Sequence, residues 1–149
     1  MPRLIASWFG SGLVLCQIRG DPNGSGTLAG LLTLPFALAV GARWGWQAQV
    51  AAALVVTLFG LWAVSSIVTE EGDAGWIVVD EAAGTLLCVV GLGLWPALVA
   101  FAVFRVADIL KVPGAAAADR MHGFAGVIFD DLVAALYGLA AGHLLQTLL

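Results

Sequence analysis

The chain has 149 residues, and 61% of them are hydrophobic while only 11% are charged. Ordinary soluble proteins carry about 25% charged residues, so this composition excludes a typical soluble domain and indicates an integral membrane protein. The formal net charge is −4 and the sequence has no basic run, which argues against a nucleic-acid partner. We expect a single domain over residues 1–149.

Residues 1–26 form an N-terminal glycine-rich segment that ends in a turn-like sequence, and we do not expect a cleaved signal there. Five apolar segments follow, and we predict that each is helical: 27–41, 47–68, 82–94, 97–112 and 124–148. The second contains 21 residues without a charge, which is enough for one membrane span.

The stretch from Ala82 to Leu110 decides the topology. If it were one straight helix, Asp80 and Arg105 would lie toward opposite membrane faces, which is energetically expensive. If the chain instead turns back at Leu94-Trp95-Pro96, it forms a hairpin whose arms of about 14 residues span about 21 Å each. The polar residues at its two ends then meet on one face.

The distribution of basic residues supports this hairpin. With the N-terminus inside, five of the six Lys and Arg residues lie inside and Arg43 alone lies outside, as the positive-inside rule expects. A straight helix gives a weaker bias of four to two. We therefore predict an all-α, polytopic membrane helical bundle with a short membrane hairpin, a polar site that faces the cytoplasm and an outside C-terminus.

Ionisable residues inside apolar segments are functional-site candidates because a charge in a bilayer is expensive unless it is paired. Arg105, Asp108 and Lys111 share a helix face at three-residue spacing, and a plain helix-end salt bridge is the alternative explanation. The adjacent Asp130 and Asp131 repel each other in an apolar segment. A bound cation explains this pair more simply than a buried helix partner does.

Magnesium is the expected cation, because it prefers hard oxygen ligands and also takes phosphate oxygens, and the sequence has no Cys/His cluster for zinc. Asp80 and Glu81 lie at a segment start, where they are either metal ligands or helix caps. His122 is a candidate proton donor or only polar lining. Gly26 and Thr27 open the first apolar segment, where backbone amides can bind phosphate, although Thr27 could equally be a plain N-cap.

These motifs occur in the same order as in bacterial phosphatidylglycerophosphatase A, and the sequence resembles that family from about residue 6 to residue 138. The motifs that carry the resemblance are Phe9-Gly10-Ser11-Gly12-Leu13, Gly26-Thr27, Ile77-Val78-Val79-Asp80-Glu81, Phe104-Arg105 with Asp108 and Lys111, Asp119-Arg120, His122-Gly123 and Gly126-Val127-Ile128-Phe129-Asp130-Asp131. The chain departs from the family pattern at Ser25, where proline is usual, and in the lengths of the loops before residues 26 and 122.

The resemblance implies a magnesium-dependent enzyme of the bacterial inner membrane that hydrolyses phosphatidylglycerophosphate, a phospholipid, to phosphatidylglycerol and inorganic phosphate. On this hypothesis the site residues have three roles. Asp80, Asp130 and His122 are the catalytic candidates. The candidate metal ligands are Glu81, Asp108, Asp130 and Asp131. The candidate phosphate-binding residues are Arg105, Lys111, Arg120 and Thr27.

Two other interpretations stay open at this point. A small cation transporter or channel would also carry intramembrane carboxylates, but it needs them distributed across the bilayer. Here they collect toward one face beside Arg and Lys, which favours an anionic substrate. A catalytically inactive family member would tolerate Asp130→Asn and Asp80→Asn without loss of function.

Overall fold

The computed structural model describes residues 1–67, 75–119 and 124–149. Over these ranges the chain is helical, which confirms the all-α prediction. The helices are α1 (Pro2–Ala6), α2 (Ser11–Arg19), α3 (Ser25–Trp44), α4 (Trp46–Ser65), α5 (Val79–Cys88), α6 (Leu94–Ile109), α7 (Ala115–Asp119) and α8 (Phe124–Leu148). Three of them, α3, α4 and the Gly126–Leu148 part of α8, are long and apolar enough to cross a membrane.

The two helices α3 and α4 form a hairpin around a single glycine. Gly45 has a φ of 83°, a left-handed value that glycine adopts without steric penalty. The side chain of Gln49 in α4 is buried and donates a hydrogen bond to the carbonyl of Ala37 in α3, at 3.0 Å. Both helices extend beyond the predicted segments 27–41 and 47–68 on the side of this turn, and position 68 lies outside the described residues.

Helices α5 and α6 form the predicted second hairpin, but the predicted position of its turn was wrong. The chain turns at residues 89–93, and Leu94 already begins α6. Gly91, with a φ of 72°, allows the reversal. Pro96 lies in the first turn of α6, where its missing N–H leaves no helical bond unmade, so it does not end a helix.

Polar side chains from two neighbouring helices hold this turn. Gln49 accepts a hydrogen bond from the N–H of Gly91 at 2.9 Å. From α8, Gln146 donates to the carbonyl of Gly91 at 3.1 Å and accepts from the N–H of Gly93 at 2.8 Å. His143 Nε2 lies 3.0 Å from the carbonyl oxygen of Val90. The backbone groups that the turn leaves outside helical pairing are thus satisfied by side chains, as an apolar environment requires.

Helix α5 lies at the centre of the bundle and packs against α3, α4, α6 and α8. Its residues Ala82, Ala83 and Gly84 are buried, and the ring of Phe104 from α6 lies directly against Gly84. Glu81 and Arg105 also face each other, so α5 and α6 run antiparallel. Small residues allow this close approach, which is how helices commonly associate in membranes. The packing brings the start of α5, the end of α6 and the first turns of α8 together.

Helices α1 and α2 lie in the glycine-rich segment and were not predicted. Their helical runs are short and separated by Gly10 and Gly20, which both have left-handed φ values. The N–H of Val78 donates to the carbonyl of Ala6 at 2.9 Å, so α1 is tied to the residue before α5. Gly12 packs against the carbonyl of Trp76, where a larger residue would overlap that oxygen. The N-terminal segment therefore supports the start of the central helix.

Candidate active site

The first turn of α5 contributes Asp80 and Glu81. Asp80 is 8% exposed, and its Oδ1 accepts a hydrogen bond from the N–H of Glu81 at 3.0 Å. Acidic side chains are favourable in the first turn of a helix because unpaired N–H groups lie there. Because α5 lies inside the bundle, the two carboxyl groups are also largely buried.

Helix α8 contributes the adjacent residues Asp130 and Asp131, which are 5% and 3% exposed. Asp130 Oδ1 accepts a hydrogen bond from the N–H of Asp131 at 2.9 Å. Asp131 is the more enclosed of the two, and its Oδ2 has no hydrogen-bond partner among the described residues. An unpartnered oxygen in such a buried carboxyl group is costly unless a ligand satisfies it.

The end of α6 contributes Arg105, Asp108 and, just beyond the helix, Lys111. Arg105 Nη1 lies 3.1 Å from Asp108 Oδ2 and 3.9 Å from Glu81 Oε1. Lys111 Nζ lies 3.2 Å from Asp108 Oδ1 and also contacts Asp130 Oδ2. The two cations therefore join carboxylates from α5, α6 and α8 into one cluster.

Lys111 occupies an unusual backbone position. Its φ is 48°, and it follows α6 where the chain closes with hydrogen bonds from Lys111 N to Asp108 O and from Val112 N to Ala107 O, both 3.1 Å. This is the Schellman pattern, in which glycine usually occupies the left-handed position. A lysine there carries a conformational penalty, and such strain is concentrated at functional sites.

The charge of Lys111 is maintained by its surroundings. Burial alone would lower the pKa of its ammonium group, but the carboxylates of Asp130 and Asp108 more than compensate and raise the pKa above its ordinary value. A raised pKa keeps the group protonated up to and beyond its unfolded value of about 10.4. Lys111 is therefore cationic throughout the neutral pH range.

On its predicted role as a phosphate-binding residue, we expect Lys111→Asn to lower catalytic activity on the order of 10- to 100-fold, because a charge-assisted phosphate contact contributes about 1.5–3 kcal/mol. Asparagine tolerates the left-handed backbone, so the end of α6 should keep its conformation. Steady-state kinetics would measure the loss. Lys111→Arg is the matched control, since it keeps the charge, and it should retain more activity than the asparagine variant. Equal activities of the two variants would contradict a charge role.

The carboxylates have the composition of a divalent-cation site. One set of three, Asp80, Glu81 and Asp131, has ligand oxygens within 4.8 Å of one another, and so does a second set, Asp108, Asp130 and Asp131. Only carboxylate oxygens are offered, which suits hard cations such as Mg²⁺ or Mn²⁺. The buried Glu81 Oε2 and Asp131 Oδ2 have no hydrogen-bond partner in the described structure. The residues present therefore fit a divalent metal.

The start of α3 lies against this cluster. From the sequence, Gly26 and Thr27 were identified there as possible phosphate contacts, but Ser25 was not identified as a buried residue. Gly26 packs so closely on Glu81 that a Cβ atom would overlap the carboxylate. Ser25 is completely buried, and its hydroxyl has no partner among the described residues. The small residues around the helix start were the available signal for a close approach. Thr27, predicted to bind phosphate, follows Gly26 in the first turn and is half-buried.

The structure thus brings together seven of the predicted site residues. They are Asp80, Glu81, Arg105, Asp108, Lys111, Asp130 and Asp131. Arg120 and His122, predicted to bind phosphate and to act in catalysis, lie outside the described residues. Within the described part, five carboxylates and two cations would give the cluster a formal net charge of −3 with every carboxylate ionised. Inside an apolar bundle such a charge is compensated either by protonation of carboxylates or by further positive charge, such as a bound cation.

The chain is similar to known proteins over nearly its whole length. The family model of phosphatidylglycerophosphatase A matches residues 4–146. A curated protein of Bacteroides thetaiotaomicron, named "Putative phosphatidylinositol-3-phosphatase", is 32% identical over 155 residues, which cover 92% of this chain and 88% of that protein. No solved structure matches the chain.

Proposed function

The chain belongs to the phosphatidylglycerophosphatase A family, and from this premise we propose that it removes the terminal phosphate of phosphatidylglycerophosphate, giving phosphatidylglycerol and inorganic phosphate. Membership identifies it as a phosphoric monoester hydrolase of membrane phospholipid metabolism. The lipid, the metal and the side of the membrane are parts of the proposal.

The observation that carries the proposal is the mixed cluster at one end of an apolar helical bundle. Carboxylates that fit a divalent cation lie within salt-bridge distance of Arg105 and Lys111. Carboxylates alone would suit a cation as cargo, whereas the added basic groups suit an anion that binds together with a metal. A phosphate monoester meets both requirements.

We infer the following division of roles. Arg105 presents a planar guanidinium, suited to two phosphate oxygens at once, and Lys111 adds a point charge. Water attacks phosphorus, the bond from phosphorus to the glycerol oxygen breaks, and a carboxylate, Asp80 or Asp130, accepts the proton of the water. In the phosphoenzyme alternative, that carboxylate attacks phosphorus itself. His122 is the proposed proton donor to the leaving oxygen, and Arg120 and Thr27 are proposed phosphate contacts.

Magnesium is the proposed metal, and when bound it would polarise the phosphate and neutralise charge that develops during the reaction. Glu81, Asp108, Asp130 and Asp131 are its proposed ligands. Arg105 already pairs with Asp108, so it also holds that carboxylate in position. The buried start of α5, together with α6 and α8, keeps these groups in an enclosed setting where electrostatic contacts are strong.

A groove on the bundle surface fits the acyl chains of a lipid substrate. It has a volume of about 780 Å³ and lies between α1, α3 and α4. Its lining is almost entirely apolar and includes Leu4, Trp8, Leu32, Phe36, Val55 and Phe59. Val79, which also lines it, directly precedes Asp80 in α5, so the groove touches the helix that carries two of the carboxylates. A lipid held here would keep its chains in the bilayer and its headgroup at the cluster.

The proposed location is the bacterial inner membrane, with the site facing the cytoplasm. The positive-inside rule supports this orientation, because five of the six basic residues then lie on the cytoplasmic side. The same assignment places Trp44, Trp46 and Trp95, which are all exposed, toward the outer interface. Tryptophan is enriched at such interfaces.

Phosphate release by the detergent-purified protein tests the proposed function. We expect release from phosphatidylglycerophosphate with Mg²⁺ and none with a chelator. Phosphatidylinositol 3-phosphate is the second substrate to assay, because the curated relative's name specifies that lipid. A preference for phosphatidylinositol 3-phosphate would change the proposed substrate, but it would still support a lipid phosphatase activity. Folded protein that releases phosphate from neither lipid would contradict the proposal and favour an inactive family member.

The transporter alternative predicts carboxylates along the depth of the bundle. In the described structure the cluster lies where α3, α5 and α8 begin, whereas the opposite end carries the amide and imidazole contacts of Gln49, Gln146 and His143. This arrangement favours a site for an anionic headgroup over a path for cations.

A further inference from the structure

The five carboxylates of the cluster do not form one set around one point. They form two sets of three, and Asp131 alone belongs to both. Oxygen ligands on opposite sides of one divalent ion lie roughly 4–5 Å apart, because metal–oxygen bonds are about 2.0–2.6 Å long. The oxygens of each set lie within 4.8 Å of one another, which is compatible with a single coordination sphere for each set. Two such sets correspond to two metal coordination spheres that share Asp131 as a ligand.

A second observation points to a ligand between these sets. Asp131 is only 3% exposed, yet its Oδ2 has no hydrogen-bond partner in the described structure. Asp130 and Asp108 are compensated by Lys111 and Arg105, whereas Asp131 has no such contact in the described ion pairs. The residue common to the two sets thus has a buried oxygen that a cation would satisfy.

The formal charge of the cluster is compatible with this number of ions. With every carboxylate ionised, five carboxylates and two basic residues in the described part give a formal net charge of −3, and Arg120, which lies outside the described residues, is not counted. One divalent ion would leave the cluster negative, so that it would repel a phosphate dianion. Two divalent ions would make it positive by one charge, so that it would attract the dianion. The formal charges of the described residues are therefore compatible with a pair of ions, and the two sets of oxygens and the unpartnered Asp131 Oδ2 are the evidence for it.

We propose that the cluster binds two divalent cations that share Asp131. One lies with Asp80 and Glu81, and the other with Asp108 and Asp130. This inference rests on the proposed function, because it specifies the number of ions at that site. It also assigns Asp131 a role that differs from that of the other carboxylates, since it serves both ions.

Manganese binding to the full-length, detergent-purified protein tests the proposal without an activity assay. Equilibrium dialysis should give two tightly bound Mn²⁺ per chain, and the electron paramagnetic resonance spectrum should show two coupled ions. One bound Mn²⁺ in the wild-type protein would overturn the proposal. Two bound ions with the spectrum of isolated Mn²⁺ would also overturn it, because the sites would then share no ligand.

Three variants distinguish the two ion positions. Glu81→Gln and Asp108→Asn should each reduce the stoichiometry to one Mn²⁺ and abolish the coupling. Asp131→Asn should weaken both ions, by on the order of 10-fold or more. Asp21→Asn is the matched control, since Asp21 lies in a loop and accepts a hydrogen bond from Asn23. If the Asp131→Asn protein still bound a coupled pair of Mn²⁺ ions, the proposal that Asp131 is their shared ligand would be overturned.

Metal binding and activity separate this proposal from the proposed function. A single bound Mn²⁺ together with metal-dependent phosphate release would overturn the proposal of two ions and would still support the proposed phosphatase function. A coupled pair in folded protein without release from either lipid would support the pair and contradict the phosphatase.

Discussion

Replacement of Asp131 with asparagine should abolish most catalysis and stabilise the metal-free protein at the same time. We expect phosphate release to fall on the order of 1,000-fold, because metal charge stabilisation contributes several kcal/mol and each tenfold corresponds to about 1.36 kcal/mol. The stability should change in the opposite direction. Asparagine replaces a buried carboxyl group whose Oδ2 has no partner in the described structure with a neutral amide, and this amide can donate a hydrogen bond to a neighbouring carboxylate.

The gain should be about 1 kcal/mol or more, which corresponds to roughly 2–4 °C in Tm for a chain of this size. Thermal unfolding in chelator would measure it. Asp21→Asn provides the control, since it changes the same chemical group outside the cluster and should affect neither activity nor Tm. An Asp131→Asn protein that is both less active and less stable without metal would show that this carboxylate serves the fold.

Gly26→Ala should impair catalysis although Gly26 carries no chemical group of its own. The added Cβ would overlap the carboxylate and the stem of Glu81. Glu81 can move aside because its side chain is flexible, but its carboxylate then leaves the set with Asp80 and Asp131. A misplacement of about 1 Å can lower the rate on the order of 100-fold. Overpacking of this kind also costs about 1–3 kcal/mol of stability.

Gly93→Ala is the matched control for this substitution. Gly93 has a φ of −74°, and the nearest atom to an added Cβ is Gln146 Oε1 at 3.8 Å. It should keep wild-type kinetics and stability. If Gly26→Ala had kinetics like those of Gly93→Ala, the start of α3 would not constrain Glu81 in the working enzyme.

The helical class and the composition of the site could be predicted because both depend on local signals. Long apolar runs predict membrane helices, and charges within such runs have few explanations other than function. Arg105 and Asp108 could be assigned to one helix face from spacing alone, whereas Lys111, predicted on the same face, lies beyond the end of α6. The antiparallel hairpin followed from the need to bring Asp80 and Arg105 to the same face.

Other features depend on tertiary contacts that leave little local trace. The hairpin turn lies at residues 89–93 because Gln49, Gln146 and His143 satisfy its backbone groups, and those residues are distant in sequence. Tryptophan and proline at 95 and 96 were a misleading local signal, since proline is compatible with a helix start. The left-handed position of Lys111 was equally hidden, because glycine is the usual residue at that position.

The order in which the chain is made has a consequence for how this site matures. Helix α5 has 10 residues, about 15 Å, which is too short to cross a bilayer by itself. The amide and imidazole groups that satisfy the turn after it, Gln146 and His143, belong to α8, which is synthesised later. Until α8 inserts, both Asp131 and these contacts are missing, and we expect the hairpin to lie incompletely inserted at the membrane surface. Insertion of α8 would then complete both the membrane insertion of the hairpin and the carboxylate cluster.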